Sequence, residues 1–183
     1  LLELMYWTNQ NKLNSNKEYI GNYAAKKYEN ISLEDFENYS YDRKRGGWKS
    51  ANYMIDKGIH KNIPEHLKDV NKSGLKAKLK SPNQVINIAK KSGGKIFLAH
   101  PSYHYKNSVM PMEELKYWMD LGIDGIECFS PYNGDNAQYY IDFCLANNLM
   151  ISGGSDCHGE FIPERKLGVP NVSIDDLNIK ELI

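Results

Sequence analysis

From Ser81 onward the chain repeats one arrangement three times: an amphipathic segment, a glycine stop, a short apolar run, and then a polar group able to do chemistry. Ser81-Pro82-Asn83-Gln84 is a helix start, with Ser as N-cap, Pro at the first helical position and Gln three residues on. Val85, Ile86 and Ala89 supply its apolar face and Gly93-Gly94 ends it. The run Lys95–Ala99 then reads as a buried parallel strand closing in His100-Pro101. The pattern predicts a second helix over Met112–Leu121 stopped by Gly122, and a strand Ile123–Ile126 ending in Glu127. It predicts a third helix over Asp135–Asn147, and a strand Leu149–Ser152 that runs into Gly153-Gly154-Ser155-Asp156-Cys157-His158. Alternation of this kind specifies an α/β fold with a parallel sheet. Three strands are too few to close a barrel, so residues 81–183 read as βα units of a partial one.

Residues 1–80 have another texture. Leu2, Met5, Tyr6, Leu13, Ile20 and Tyr23 recur at helical spacing, Ser32-Leu33-Glu34-Asp35 opens a short helix, and Trp48, Ala51 and Ile55 mark a helix within Tyr41–Lys57 stopped by Gly58. Residues 59–80 are polar, Lys-rich and without period, and read as a linker or mobile loop. The first 80 residues carry a charge of +5 and the remainder −5, so the chain as a whole is neutral. Nothing global argues for a membrane or a stable nucleic-acid partner. Cys128, Cys144 and Cys157 show no paired framework, which makes a reduced cytoplasmic protein the default expectation. The opening LLELMYW begins in helical pattern without an initiator Met, as a piece of a longer protein would.

The chemistry-bearing residues sit where strands end, the edge at which βα loops gather ligands. Asp156 and His158, two apart after a double glycine, either offer a carboxylate and an imidazole to a divalent ion or are a helix cap beside a surface histidine. His100 is a ligand or a hydrogen-bonded core histidine. Glu127 ligates, orients a ligand from outside, or accepts amides of the next loop. His104 faces the site or solvent. His60 and His66 have no ligand spacing. Only Arg43, Arg45 and Arg165 are arginines, and a guanidinium fork matches phosphate.

FLAHP, GIDGIECF and GGSDCHG, in that order, resemble the second half of the PHP family (polymerase and histidinol phosphatase domain), nearest its hydrolases of small phosphoesters and nucleoside phosphates. The resemblance implies a distorted (β/α) barrel carrying two or three divalent ions (Mn, Zn, Fe or Mg). His100, Asp156 and His158 would be metal ligands, with Glu127 and His104 around them. DRKRGGWKSANYMIDKGI is similar to a helical insertion whose arginines reach substrate phosphate, which adds Arg43, Arg45 and Arg165 as anchors. The implied activity is metal-assisted hydrolysis of a phosphorylated small molecule or short nucleic acid. The family's opening H-x-H motif is missing and would precede Leu1, so the chain looks like a C-terminal half: inactive alone, weak in metal binding, and prone to a dimer set by where it is cut. Two alternatives stay open: an amidohydrolase-type enzyme acting on C–N bonds, and a non-catalytic metal-binding or interaction remnant of the barrel.

Overall fold

In this computed structural model the structure describes residues 15–75 and 80–179. The chain divides into two compact units. One comprises Leu1–Leu79 together with His158–Pro163; the other comprises Lys80–Cys157 and Glu164–Ile183. The expected helix face at Leu2–Leu13 lies outside the described residues.

The first unit is helical. A π-wound stretch, Tyr19–Ala24, continues into α-helical Ala25–Lys27. Next come α1 (Leu33–Asn38), a 3-10 turn Arg43–Arg45, α2 (Lys49–Asp56) and α3 (Ile63–Lys72). Ser32 caps α1 as its sequence predicts, its Oγ accepting the Asp35 amide at 3.0 Å. The helix expected across Tyr41–Lys57 is broken: its first part is a 3-10 turn, and the α-helix starts only after Gly46-Gly47. The expected linker at 59–80 is corrected too, because α3 occupies its middle. Asn62 is that helix's cap, its Oδ1 accepting the Glu65 amide at 3.0 Å, and Glu65 reaches back to the Lys61 amide at 2.8 Å. The core is Tyr19, Ile20, Ala24, Ile31, Phe36, Tyr53 and Met54. Burying a large side chain of this kind stabilises by about 2 kcal/mol.

The second unit is mixed α/β. It orders α4 (Pro82–Lys91), β1 (Phe97–Leu98), α5 (Met112–Leu121), β2 (Gly125–Phe129), α6 (Ala137–Ala146) and β3 (Met150–Gly153). The strands form a parallel three-stranded sheet in the order β1-β2-β3. Gly125 pairs with both Phe97 and Met150, which sets the register. Ile126, Cys128, Leu115, Tyr140, Cys144 and Ile151 fill the space between sheet and helices. The outer edge of β3 is covered by Asn178, which exchanges both backbone hydrogen bonds with Ile151 at 3.0 and 3.2 Å. Among the described residues the sheet is open rather than a closed barrel. One detail differs from expectation: Glu127 is the third residue of β2, inside the strand rather than past its end. No helix of the described residues is long and apolar enough to cross a membrane.

Candidate active site

Parallel strands pointing one way bring their carboxyl ends to a common rim, and in the second unit that rim collects His100, Glu127, Tyr132, Asp156 and Arg165. β1 gives out at Leu98, and His100 takes a left-handed backbone, φ 31° and ψ 61°, as it caps the 3-10 turn Pro101–Tyr105. A residue with a β-carbon resists that conformation, and strain of this kind costs about 1–3 kcal/mol. It is held by Glu127, whose Oε2 accepts the His100 amide at 2.7 Å. The His100 Nδ1 is buried and has no hydrogen-bond partner. Buried polar atoms are nearly always paired, so this nitrogen is open to a ligand or a water.

Glu127 is electrostatically tied to both neighbours. Burial raises its pKa above the usual 4.5, the His100 amide and ring pull it down, and Asp156 pushes it up. Space for its carboxylate comes from Gly154, where a β-carbon would stand 2.6 Å from Oε1. Asp156, like His100, has a left-handed backbone, at φ 46°. Its Oδ2 accepts from the Tyr132 hydroxyl at 2.9 Å and from Arg165 Nη1 at 2.5 Å. Side chains of this ion pair are four-fifths shielded, at 20% and 19% exposure, so it is stronger than a surface pair.

Tyr132 ties the rim together. Its ring centroid is 5.4 Å from that of His100 and 4.8 Å from that of Tyr103, and the Arg165 guanidinium lies over its face at 5.1 Å. Tyr103 contacts His100 in turn, at 5.5 Å. Burial first, and Asp156 second, push the Tyr132 hydroxyl up to about 12, so it stays a donor at neutral pH. Buried Asn133 latches the loops beneath. Its Nδ2 donates to the carbonyls of Glu127 and Cys128, both at 2.8 Å, and its Oδ1 accepts the Ser102 amide at 3.2 Å.

The other expected residues fall elsewhere. His104 is exposed, with its ring against Tyr103 at 5.1 Å. His158 is exposed and belongs to the helical unit, as do Arg43 and Arg45. Both nitrogens of the Arg45 fork are on Asp56, at 2.9 Å each, so that guanidinium is engaged within its own unit. Arg43 stands exposed at the start of its turn. Tyr103, Tyr132 and Asn133 escaped the sequence reading, since an aromatic or an Asn in a loop after a strand carries no chemical signature of its own.

The donors at the rim suit a divalent ion. An unpaired imidazole nitrogen and a carboxylate are the mixed N/O set that Zn²⁺, Mn²⁺ or iron accepts. Among the described residues, however, no group of three or more His, Cys, Asp or Glu is arranged as a complete metal site.

No family profile and no curated protein matches the sequence. The fold does have a match, the crystal structure of a candidate metal-dependent phosphoesterase from Bifidobacterium adolescentis. The likeness has a TM-score of 0.67 at 21% identity and covers 93% of this chain. The chain spans 61% of the length of that protein. At this identity the match speaks for the fold.

Proposed function

We propose that the chain is the C-terminal part of a metal-dependent phosphoesterase, the sheet being the last βα units of a distorted (β/α) barrel. The observation that carries this reading is the His100 imidazole, with a buried nitrogen left unpaired and a left-handed backbone, linked through Tyr132 to a second left-handed candidate ligand, Asp156. An unpaired nitrogen together with a positive φ, beside a second positive φ at Asp156, is the combination a ligand site would explain; His60 shares only the first. The fold of the Bifidobacterium protein supports the reading without extending to its substrate.

Bound divalent ions would polarise a phosphoryl oxygen and lower the pKa of a water to near neutrality. His100, Asp156 and His158 would supply donors, completed by residues beyond the described set. Glu127 fixes the His100 backbone, and its burial raises its pKa above the usual carboxylate value. Tyr132 and Arg165 hold Asp156 from one side, fixing which lone pairs it presents. Arg165 is the better phosphate anchor of the three arginines, since it bonds Asp156 through Nη1 whereas Arg45 has both fork nitrogens on Asp56; Arg43 is the second. The substrate class is a phosphorylated small molecule or short oligonucleotide, and the compartment the cytoplasm.

The test is a pair of substitutions in the full-length protein, assayed on phosphomonoesters, nucleotides and short oligonucleotides alongside amides. His158→Ala should lower kcat by more than about a hundredfold, since loss of even an outer-shell partner costs about 10–100-fold. Arg165→Ala should mainly raise KM. An unchanged kcat in His158→Ala removes the ligand assignment, and turnover of amides alone replaces the phosphoesterase with a C–N hydrolase.

A further inference from the structure

The helical unit contains six residues from far along the chain, His158–Pro163, and the place where they sit is built from glycine. After the Arg43–Arg45 turn, Gly46 and Gly47 both have positive φ, 68° and 74°, a conformation open to glycine and strained for other residues. The loop is pinned from α2: Asn52, 3% exposed, donates from Nδ2 to the carbonyls of Gly46 at 3.0 Å and Trp48 at 3.1 Å. Asp42 pins its other end, accepting the Lys44 amide at 2.9 Å.

On this loop rests the late segment. A β-carbon on Gly46 would stand 2.6 Å from the carbonyl oxygen of His158. One on Gly47 would stand 2.0 Å from the ring of Phe161, inside any carbon–carbon contact. Phe161 is held in turn by Trp48, edge to face at 5.5 Å, and its amide donates to the His158 carbonyl at 3.3 Å. Gly159 packs as closely, since its β-carbon would be 3.3 Å from the Lys44 carbonyl. Two glycines with forced φ, one buried asparagine and two aromatic rings are more than a surface loop needs in order to pass another. What they determine together is the path of the backbone at His158.

We infer that Gly46 and Gly47, with Phe161 seated on them, are positioning residues for His158: they set its backbone, and so aim its imidazole. This rests on the reading of His158 as a metal ligand. A β-carbon at position 47 has no route except to expel the Phe161 ring, which drags the His158–Phe161 turn with it. Removing the ring removes the seat itself, so Phe161→Ala should displace His158 as Gly47→Ala does, and the two substitutions together should do little more than either alone.

The experiment uses Gly47→Ala, Phe161→Ala and the double variant in the full chain, with two readouts. The first is the imidazole ¹H–¹³C resonance of His158 in metal-free protein, identified by its loss in His158→Gln. The second is Mn²⁺ affinity by calorimetry. Gly47→Ala should displace the His158 resonance, leave that of His100 in place, and weaken Mn²⁺ by about tenfold, as loss of a ligand-orienting partner does. Phe161→Ala should give the same displacement and the same weakening, and the double variant should do little more than either alone. A His158 resonance and Mn²⁺ affinity unmoved by Gly47→Ala overturn the inference, as does a Phe161→Ala variant that leaves both in place. Displacement of His100 by the same amount also overturns it, because that is general loosening. If wild-type protein binds no Mn²⁺, the metal reading fails while the resonance still decides whether the seat exists. Should Gly47→Ala not fold, Phe161→Leu takes its place: it should displace the His158 resonance in the same direction, and no displacement counts against the seat.

Discussion

His66 in the helical unit and His100 at the sheet rim each hold a ring nitrogen away from water, and their surroundings differ at every bond. Both nitrogens of His66 are engaged, Nε2 with Ser50 Oγ and Nδ1 with His60 Nδ1, each at 3.3 Å. His60 in turn places Nε2 3.5 Å from Asp69, an ion-pair distance rather than a formed hydrogen bond. Asp69 accepts from the Tyr19 hydroxyl at 2.7 Å and from Lys27 at 2.5 Å. Only His60 Nε2 in this network lacks a hydrogen bond, and none of its residues has a positive φ. His100 has the reverse: a positive φ, an amide fastened to Glu127, and a ring nitrogen with no partner. By residue type the helical cluster looks the better metal site. What separates them is satisfaction: a network whose donors meet their acceptors has been used for stability, while an open one is available to a ligand.

That contrast breaks if Asp69→Ala leaves the protein as stable as before. Truncation orphans the buried Tyr19 hydroxyl, whose bond to a charged acceptor is worth about 3 kcal/mol, and removes the half-exposed Lys27 pair, worth about 1 kcal/mol, so denaturant unfolding should lose about 4 kcal/mol with Mn²⁺ affinity unchanged. A smaller effect concerns acid. Burial, and then the charge of His60, lower the His66 pKa from 6.5 to about 4 against the pull of Asp69. Between those values the unfolded chain takes up a proton that the folded one refuses, so stability falls as pH falls through that window, by about 3 kcal/mol in all. Glu127 has the opposite sign. Its raised folded-state pKa favours the folded protein at low pH, and that contribution is lost as pH rises through the raised value. Unfolding free energies of His66→Phe and Glu127→Gln across this range should therefore diverge from wild type in opposite directions. The smallest effect tests the rim: Tyr132→Phe keeps the ring contacts and removes one hydroxyl from Asp156. It should cost about 1 kcal/mol in transition-state stabilisation, read as a several-fold fall in kcat/KM, with little change in Tm.

Legibility followed how local each signal was. The capping box of α4 was readable from four residues and is formed, with Gln84 N to Ser81 Oγ at 3.3 Å and Ser81 N to Gln84 Oε1 at 3.0 Å. Gly122 stops α5 at φ 97° as a C-terminal glycine should. Helix α3 was not readable from hydrophobic period, although Asn62, Pro64 and Glu65 announce its start. The face it buries carries His66 and Asp69, and a helix that buries polar residues looks polar all round to any apolar pattern. Among the site residues, His100, Glu127 and Asp156 could be singled out because strand ends and short motifs are local. Tyr132 could not, because its importance lies in touching four residues distant in sequence.

The amino-acid sequence by itself determined the helix starts and stops, the three apolar runs and the polar residues that follow them, since caps, periods and glycine stops act over a few residues. Tertiary structure decided which of those polar groups share a rim, which histidines have their hydrogen bonds closed, and that a segment bearing His158 packs against glycines more than a hundred positions earlier. The physical reason is range. Local backbone preference is written in neighbouring residues, whereas the pairing of a buried polar atom depends on what the rest of the fold carries to it.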